Sequence, residues 1–380
     1  MATENNNKTL NVPNLRFPEF SGEWERCSLG DITTNFSRRN KEEVRYPMFS
    51  VTNNRGFVPQ SEQFEDREMV GEDIKAYKII HKNDFAYNPA RINVGSIAKY
   101  NGDEPCMISS LYVCFTADKR LDNEWLMQLL KTPKMNFYYN INGEGGVRVY
   151  LFYPNFARIK TSFPSLQEQQ KISSFLALLD ERIATQIKII EKLESLIKGL
   201  CSSLFDKNKY DSFVRLGDIS EITNGNSDVQ DASLSYSDGM YPFFDRSEDI
   251  KFLPEYLLDK EAIIYPGEGS EFYPRYYNGK FALHQRCYAI YDIAPNFATR
   301  YLYFFCKTQN SYFVRNAVGS TVASLRLDTF KRLNIPNIPI ELQKTYVQLL
   351  DKIETKIVDN KIALKKYEEQ KRYLLSNLFI

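Results

Sequence analysis

The sequence predicts an α+β protein in which two β-rich domains alternate with two long helices that pair as an antiparallel coiled coil. Three observations support this prediction. Apolar residues follow a 3.5-residue repeat from Ser165 to Phe205. The same repeat returns near the C-terminus at a constant offset, and short motifs recur in the segments that precede the two repeats. The chain is therefore a duplicated unit of one domain followed by one helix.

The first long helix is indicated by apolar residues at alternating steps of four and three. No Pro interrupts the stretch, its only Gly is Gly199, and Ser165 with Glu168 has the form of a capping box. The pattern predicts a helix of about 40 residues, and a seam this regular favours a partner helix over a globular core. The seam positions are Ile172, Leu176, Leu179, Ile183, Gln186, Ile190, Leu193, Ile197, Leu200 and Leu204.

The partner helix is predicted in the same chain, 174 residues further on, where the polar seam residue Gln186 falls on Asn360. An ordinary amphipathic surface helix is the alternative for either segment alone, but a constant offset over ten positions argues against it. Because the chain passes through a whole domain before the second helix, that helix returns along the first. It begins near Glu341, after Pro339, and its seam is Tyr346, Leu350, Ile353, Ile357, Asn360, Leu364, Tyr367, Lys371, Leu374 and Leu378.

The domains before the helices are also related. Leu29-Gly30-Asp31-Ile32 recurs as Leu216-Gly217-Asp218-Ile219, and Tyr46-Pro47-Met48-Phe49 recurs as Tyr241-Pro242-Phe243-Phe244. These matches divide the chain into a disordered, Asn- and Lys-rich tail (1–14), a first domain (15–164), a first helix (165–206), a second domain (207–338) and a second helix (339–380).

Within each domain, short β-prone runs are separated by turn-forming residues, which predicts an irregular β-rich structure. We expect one short helix per domain, near Glu124–Lys131 and Thr299–Lys307. The predicted strands are 57–58, 78–80, 111–115 and 286–290, and the predicted loops include 93–96, 101–102 and 143–146.

Composition restricts the function. The 380 residues carry a net charge of +1, so any DNA affinity must come from local patches. No apolar run is long enough for a transmembrane helix, and the N-terminal tail lacks the apolar core of a signal peptide. The six cysteines form no CxxC pair, which favours a cytoplasmic protein with free thiols.

No motif in the sequence indicates catalysis or a cofactor. A P-loop is absent, and the Gly-rich runs Gly143–Gly146 and Gly267–Ser270 lack the strand-turn-helix context of a cofactor loop. Neither His81 nor His284 has a Cys or carboxylate partner at metal-ligand or triad spacing, so structural or polar-contact roles are favoured. We therefore expect no catalytic residue, cofactor or metal site in this chain.

Basic residues do recur among polar residues in the predicted loops of both halves. Arg and Lys pair with guanine edges, Asn and Gln with adenine, and Ser, Thr or Lys hold phosphates. Each residue alone could be a solvated surface side chain, so the DNA interpretation depends on matching loops in the two halves. The candidates are Arg38, Arg39, Asn53, Asn54, Arg55, Asn88, Arg91, Asn93, Ser96, Lys99 and Arg148 in the first half, and Asn224, Asn226, Arg246, Arg275, Gln285, Arg286, Ser320, Thr321 and Arg326 in the second.

Two segments resemble a known family. The run 13–20 (Pro-x-Leu-Arg-Phe-Pro-Glu-Phe), followed by Trp24-Glu25 and the motif 29–32, is similar to the opening of specificity subunits of type I restriction–modification systems. The run 163–172 (Phe-Pro-Ser-Leu-Gln-Glu-Gln-Gln-Lys-Ile) resembles the segment that leads into their first long helix. The resemblance covers essentially the whole chain, and the family's two target-recognition domains alternating with two long helices match the duplication.

The resemblance implies a DNA-binding subunit without catalytic activity. Each target-recognition domain would read one half of a split site in double-stranded DNA. Two modification subunits would carry S-adenosylmethionine and adenine N6-methylation, and ATP-driven restriction subunits would join them. The alternatives are a coiled-coil scaffold with two protein-binding domains and a stand-alone methyltransferase with a target domain. Salt-dependent binding to duplex DNA would separate the first of these from the DNA-binding interpretation.

Overall fold

The computed structural model describes residues 10–63, 74–145, 149–319 and 321–380. Contacts divide the chain into two compact units: unit 1 comprises residues 1–185 and 364–380, and unit 2 comprises residues 186–363. The long-helix segments of unit 1 are 166–185 and 364–377, and those of unit 2 are 186–204 and 340–363.

Unit 1 contains short strands and helices that lead into the first long helix. The strands are β1 Glu25–Ser28, β2 Thr33–Phe36, β3 Phe49–Thr52, β4 Gly56–Pro59, β5 Lys78–Ile80, β6 Phe85–Tyr87, β7 Ile97–Lys99, β8 Cys106–Ile108, β9 Val113–Ala117 and β10 Lys160–Phe163. The helices are α1 Leu29–Ile32, α2 Gln60–Gln63, α3 Asn123–Leu130, α4 Pro133–Asn142, α5 Tyr153–Ala157 and the long helix α6 Leu166–Leu204.

The core of unit 1 is built on an antiparallel sheet of four strands in the order β2-β9-β6-β7. Phe85 and Phe115 are register partners in this sheet, and their fully buried rings stack with centroids 5.1 Å apart. The cluster extends through Trp125 and Phe156 to Leu176 of α6. The domain and its long-helix segments therefore share one hydrophobic core.

Unit 2 repeats this arrangement, and two of its strands are longer, with 9 residues each. Its strands are β11 Phe213–Arg215, β12 Glu221–Asn224, β13 Tyr241–Phe244, β14 Lys251–Leu253, β15 Leu258–Pro266, β16 Arg275–Leu283, β17 Cys287–Tyr291 and β18 Asn334–Pro336. Its helices are α7 Leu216–Ile219, α8 Thr299–Lys307, α9 Asn310–Asn316, α10 Leu327–Lys331 and the long helix α11 Ile340–Asn377.

The sheet of unit 2 has six strands in the order β12-β17-β15-β16-β13-β14. Its first four strands follow the order of the unit 1 sheet, with β12, β17, β15 and β16 in the places of β2, β9, β6 and β7. Strand β13 joins β16 in parallel, and the other neighbouring strands are antiparallel. The fold class predicted from the sequence, two β-rich domains alternating with two long helices, is confirmed.

The repeated Leu-Gly-Asp-Ile motif has one structural role in both units. It forms the short helices α1 and α7, which bury their Leu and Ile side chains. The Leu29 amide donates to the Ile159 carbonyl, and the Leu216 amide donates to the Leu333 carbonyl, both at 2.9 Å. The motif therefore ties the start of each domain to the segment just before its long helix.

The expectation of one short helix per domain is wrong. Unit 1 has α4 and α5 in addition to α3, and unit 2 has α9 and α10 in addition to α8. Helix α4 has clear start signals, because Pro133 occupies its first turn and the Thr132 hydroxyl accepts from the Met135 amide at 3.2 Å. The sequence of α4 is only weakly amphipathic, so its apolar residues do not form the periodic pattern that predicts a helix.

The coiled-coil seam is confirmed by burial, because all the predicted seam positions of both helices are buried or half-buried. In unit 2, Gln186 contacts Asn360 and the Phe205 ring contacts the Tyr346 ring. In unit 1, Asp180 pairs with Lys371, and Arg182 lies over the ring of Tyr367. In each unit, residues further along the first helix contact residues with lower numbers in the second helix, so the two helices are antiparallel.

Among the helices of the described ranges, none is long and apolar enough to cross a membrane.

The predicted capping box at the start of α6 is only half formed. The Glu168 amide donates to the Ser165 hydroxyl at 3.4 Å. The Glu168 carboxylate, which is almost fully buried, instead accepts from the Arg16 guanidinium at 2.7 and 2.8 Å and from the Trp24 indole at 3.3 Å. A buried carboxylate gains more from a guanidinium than from a backbone amide, so residues of the opening motif hold the start of the helix.

The predicted tail at 1–14 requires a correction at its end. Residues 1–9 lie outside the described residues, but Asn11 is buried. Its side-chain amide donates to the Trp24 carbonyl at 2.6 Å and to the Ser162 hydroxyl at 3.0 Å. Because these bonds fix Asn11 against strand β10, ordered structure begins before residue 15.

Candidate DNA interface

The exposed turn between β3 and β4 borders two adjoining clefts of unit 1, with volumes of 360 and 480 Å³. Lys131 lines both clefts. Lys99 lines the first, where its ammonium group lies 2.5 Å from the Glu124 carboxylate. The predicted residues that line one cleft or the other are Asn53, Asn54, Arg55, Asn93 and Lys99.

Other predicted residues of unit 1 shape the loop between β6 and β7. The Asn88 carboxamide accepts from the Ala90 amide at 3.0 Å, and the buried Ser96 hydroxyl donates to the Val51 carbonyl at 2.7 Å. The side chains of Asn88 and Ser96 are thus bonded to backbone groups, whereas Arg91 of the same loop is exposed. The Asn93 side chain donates to Asn140 of α4 at 3.0 Å.

Arg38 and Arg39 follow strand β2 and differ in their surroundings. The Arg38 guanidinium pairs with both oxygens of the buried Asp84 carboxylate at 2.6 and 2.9 Å and lies 3.9 Å from the centre of the Phe36 ring. Asp84 also accepts from the His81 amide at 2.7 Å. Arg39 is exposed, and its side chain makes no hydrogen bond or ion pair with any residue described here. Arg38 is thus held against the domain, and Arg39 is available to a ligand.

In unit 2, three predicted residues line one cleft of 410 Å³: Arg246, Gln285 and Arg286. Arg246 lies in the turn between β13 and β14, and the other two lie between β16 and β17. The Gln285 side chain donates to Asp228 at 3.2 Å. Arg246 is exposed and makes no hydrogen bond or ion pair within the described ranges. The cleft therefore presents guanidinium and amide groups from two neighbouring loops.

The turn that carries Arg246 is held by buried polar contacts. The Asp245 carboxylate accepts from the Ser247 amide at 2.7 Å and from Lys251 at 2.5 Å. Burial alone would raise the pKa of Asp245, but the bonds from Lys251 and Ser247 outweigh it and hold that pKa below its ordinary value. Arg275 donates to the Ser247 carbonyl at 2.9 Å and to the Asp245 carbonyl. Arg275 thus stabilises the turn that carries Arg246.

The remaining candidates are dispersed. The Asn224 side-chain amide donates to the Gln285 backbone carbonyl at 3.3 Å, and the Asn226 side chain accepts from the Ser227 hydroxyl at 3.2 Å. Thr321 and Arg326 are exposed in the segment before α10. Arg148 and Ser320 lie outside the described residues.

Several cleft residues escaped the sequence reasoning. Lys131 is predicted only as a helix end, His284 is predicted only to have a structural or polar-contact role, and no pattern marks Lys251. Glu268 belongs to the Gly-rich run 267–270, whose composition predicts a loop but gives no role to its carboxylate. The signal that could have found them is their position beside turns already selected, since Lys251 is six residues from Asp245 and His284 precedes Gln285.

The clefts offer hydrogen-bond donors and cations. Within the described ranges, no group of three or more His, Cys, Asp or Glu residues comes close enough to hold a metal ion. Two domains that share the order of four sheet strands, each with a cleft lined by basic and amide side chains and each continuing into a long helix, define a duplicated binding protein. Residues 22–195 and 209–368 each match the family model described as the type I restriction modification DNA specificity domain, and the chain belongs to that family.

Curated relatives match part of the chain. It is 24% identical over 230 residues to a Methanocaldococcus jannaschii protein named as a type I restriction enzyme MjaX specificity subunit, covering 56% of this chain and 54% of the relative. It is 25% identical over 192 residues to the type I restriction enzyme HindI specificity subunit of Haemophilus influenzae, covering 48% and 41%. The chain thus spans about half the length of the curated relatives it matches.

A solved structure shares the whole fold. The S subunit of a type I restriction–modification system from M. genitalium superimposes with a TM-score of 0.66 at 14% identity, covering 97% of this chain and 99% of that one. At this identity the likeness supports the architecture alone.

Proposed function

We propose that this chain is the DNA-reading subunit of a type I restriction–modification complex, in which each domain reads one half of a split site in duplex DNA. The observation that carries the proposal is the match of the DNA specificity family to both halves of the chain. Supporting it, each unit has a cleft lined by arginine or lysine and by side-chain amides at turns between strands. These groups are the ones that proteins use to read base edges and hold phosphates.

The side chains divide into readers and supports. We assign base or phosphate contacts to candidates that are exposed or line a cleft, and we assign Arg38, Asn88, Ser96 and Arg275 to holding the loops. The reading set is Arg39, Asn53, Asn54, Arg55, Arg91, Asn93 and Lys99 for one half-site, with Asn224, Asn226, Arg246, Gln285, Arg286, Thr321 and Arg326 for the other. Arg148 and Ser320 are proposed as DNA contacts from the sequence alone.

The chemistry would belong to partner subunits. Two modification subunits would bind S-adenosylmethionine and methylate adenine at N6, and ATP-driven restriction subunits would join that assembly. This chain would supply specificity and a scaffold, acting on host and invading DNA in the cytoplasm. Purified alone, it is expected to transfer no methyl group.

The test is to map methylated adenines in host DNA with and without this gene. A split motif that disappears when the gene is deleted is the expected result. Binding of the chain with its modification subunits to that duplex should weaken steeply as salt is raised, because phosphate contacts release counterions. An unchanged methylation map, together with no salt-dependent DNA binding, would instead favour a scaffold for protein partners.

A further inference from the structure

Among the described residues, the Arg286 guanidinium is held through one of its three nitrogens. Its Nη1 atom lies 2.9 Å from each oxygen of the Glu268 carboxylate. The Arg286 side chain is 62% exposed, whereas that of Glu268 is 18% exposed. The Nε and Nη2 atoms of Arg286 make no hydrogen bond with any residue that the structure describes. One edge of the guanidinium, with two parallel N–H groups, therefore remains available on a side chain that lines the cleft.

The backbone around this pair is packed too closely for any side chain but hydrogen. A Cβ atom on Gly267 would lie 2.1 Å from the Arg286 carbonyl oxygen, and one on Gly225 would lie 2.0 Å from the Leu283 carbonyl oxygen. The Gly267 amide donates to the Arg286 carbonyl at 2.8 Å. The Gly-rich run 267–270 thus allows the loop that carries Glu268 to lie directly against Arg286.

The other side of the Arg286 backbone is fixed as well. The Arg286 amide donates to Nδ1 of His284 at 3.2 Å. The His284 ring thus accepts a bond from the backbone next to the side chain that pairs with Glu268. The Arg286 backbone is therefore anchored through its amide and its carbonyl, and the guanidinium is held through one nitrogen.

A free guanidinium edge of this kind selects among bases. In the major groove, guanine presents two acceptors, O6 and N7, which match two parallel N–H donors. Adenine presents one acceptor beside a donor, and cytosine presents a donor, so neither satisfies both N–H groups. The half-buried Glu268 carboxylate also opposes a swing of the guanidinium to a phosphate, since leaving would unpair a partly desolvated charge.

We propose that Glu268 is a positioning residue that holds Arg286 so that its Nε–Nη2 edge reads one guanine in the half-site bound by unit 2. This inference rests on the proposed function and adds a base and a residue pair to it. Arg286 makes the contact, and Glu268 acts through Arg286.

The experiment uses the full chain with its modification subunits and duplexes carrying the mapped target. Each guanine of the two half-sites is replaced in turn by 7-deazaguanine, which lacks the N7 acceptor, and by hypoxanthine, which keeps O6 and N7. For the wild-type complex, at least one guanine should show about a tenfold loss of affinity with 7-deazaguanine and little loss with hypoxanthine. With Arg286→Ala, the 7-deazaguanine penalty should vanish at one such guanine, and that guanine should lie in the half-site bound by unit 2. With Glu268→Gln, it should fall to about threefold or less.

Arg332→Ala is the matched control, because Arg332 is also 62% exposed and pairs with a carboxylate, that of Asp328, at 2.8 Å. This variant should keep the full penalty, and thermal midpoints of all variants show whether they fold. If folded Arg286→Ala keeps the wild-type penalty at every guanine, the inference is overturned while the proposed function stands. If Glu268→Gln loses thermal stability but keeps the full penalty, the pair only fastens two loops, and the positioning role is refuted. A wild-type complex that does not bind the mapped duplex refutes the proposed function itself.

Discussion

Gln169 and Gln343 make the same three hydrogen bonds, each within its own unit. Both side chains are fully buried one turn into a long helix. Each carboxamide accepts from one backbone amide and donates to two backbone carbonyls, over distances of 2.8 to 3.1 Å. The partners are Asp122, Arg120 and Pro164 for Gln169, and Ala298, Asn296 and Ile338 for Gln343.

In each unit, the Gln carboxamide connects the start of the long helix to the segment before α3 or α8 by hydrogen bonds. Replacing Gln343 with Leu should lower the stability of unit 2 by about 3 kcal/mol, because buried carbonyls and one amide would lose their partners. Chemical denaturation should show a lower midpoint for the unfolding of unit 2, and no other unfolding transition should move to a higher midpoint. Gln170→Leu is the control, since Gln170 is exposed beside Gln169 and should change little. Equal effects of the two substitutions would contradict the assigned role.

The long helices were predictable because a seam needs only local periodicity. The duplication of the Leu-Gly-Asp-Ile motif was also predictable, because the two copies are identical in sequence. Glu168 illustrates the limit. Its spacing from Ser165 indicated a capping box, yet its carboxylate binds Arg16 and Trp24, more than 140 residues earlier in the chain. A contact over that distance is not encoded in any local pattern.

The candidate interface shows the same limit. Sequence reasoning selected turns that do line clefts, such as those that carry Arg55 and Arg246. It could not separate the proposed readers from the proposed supports, because the partners of Arg38 and Arg275 lie 46 and 30 residues away. These partners are the Asp84 carboxylate for Arg38 and backbone carbonyls of the β13–β14 turn for Arg275, and no local pattern predicts either contact.

An ion-pair cluster between α8 and α11 should make unit 2 sensitive to acid. Burial alone would raise the pKa of Glu354, but Lys307 and Arg300 outweigh it and hold that pKa below its ordinary value of 4.5. A carboxyl group with a lowered folded-state pKa stabilises the fold above about pH 4.5, and this stability is lost as the pH falls through the folded-state value. Glu354→Gln should therefore cost about 1 kcal/mol at pH 7 and less at pH 3.

Urea denaturation of both proteins at the two pH values measures this difference. Glu341→Gln serves as the control, because Glu341 pairs with Lys344 at 2.8 Å but is 79% exposed. A cost of Glu354→Gln that stays constant between pH 7 and pH 3 would show that the carboxylate charge is not what stabilises the cluster.

The polar pair Gln186–Asn360 should set the register of the coiled coil at the expense of stability. The Gln186 amide donates to the Asn360 side chain and, at 3.2 Å, to the Asn360 carbonyl, in a seam that is otherwise largely apolar. Gln186→Leu alone leaves Asn360 without its partner and should cost about 1 kcal/mol. Adding Asn360→Leu should recover that loss or exceed wild-type stability, since an apolar layer packs well in a seam.

A double-mutant cycle on thermal midpoints tests this prediction, and disulfide trapping of cysteine pairs across the seam reports the register. The wild type should give one trapped register, and the double Leu variant should give more than one. Additive losses from the two single substitutions, with one register throughout, would mean that other layers fix the pairing.

The two cleft arginines Arg55 and Arg246 should serve different half-sites. Each lies in a turn between neighbouring strands of its own unit, and each lines a cleft there. Arg246→Ala should relax one position of one half-site by about 1–3 kcal/mol, and Arg55→Ala should do the same in the other half-site. Adenine methylation maps of cells carrying each variant would reveal the relaxed positions. A variant that weakened all sequences equally and lowered the salt slope would identify its arginine as a phosphate contact. Relaxation of both half-sites by either single substitution would contradict one reader domain per half-site, since the two side chains line separate clefts in separate units.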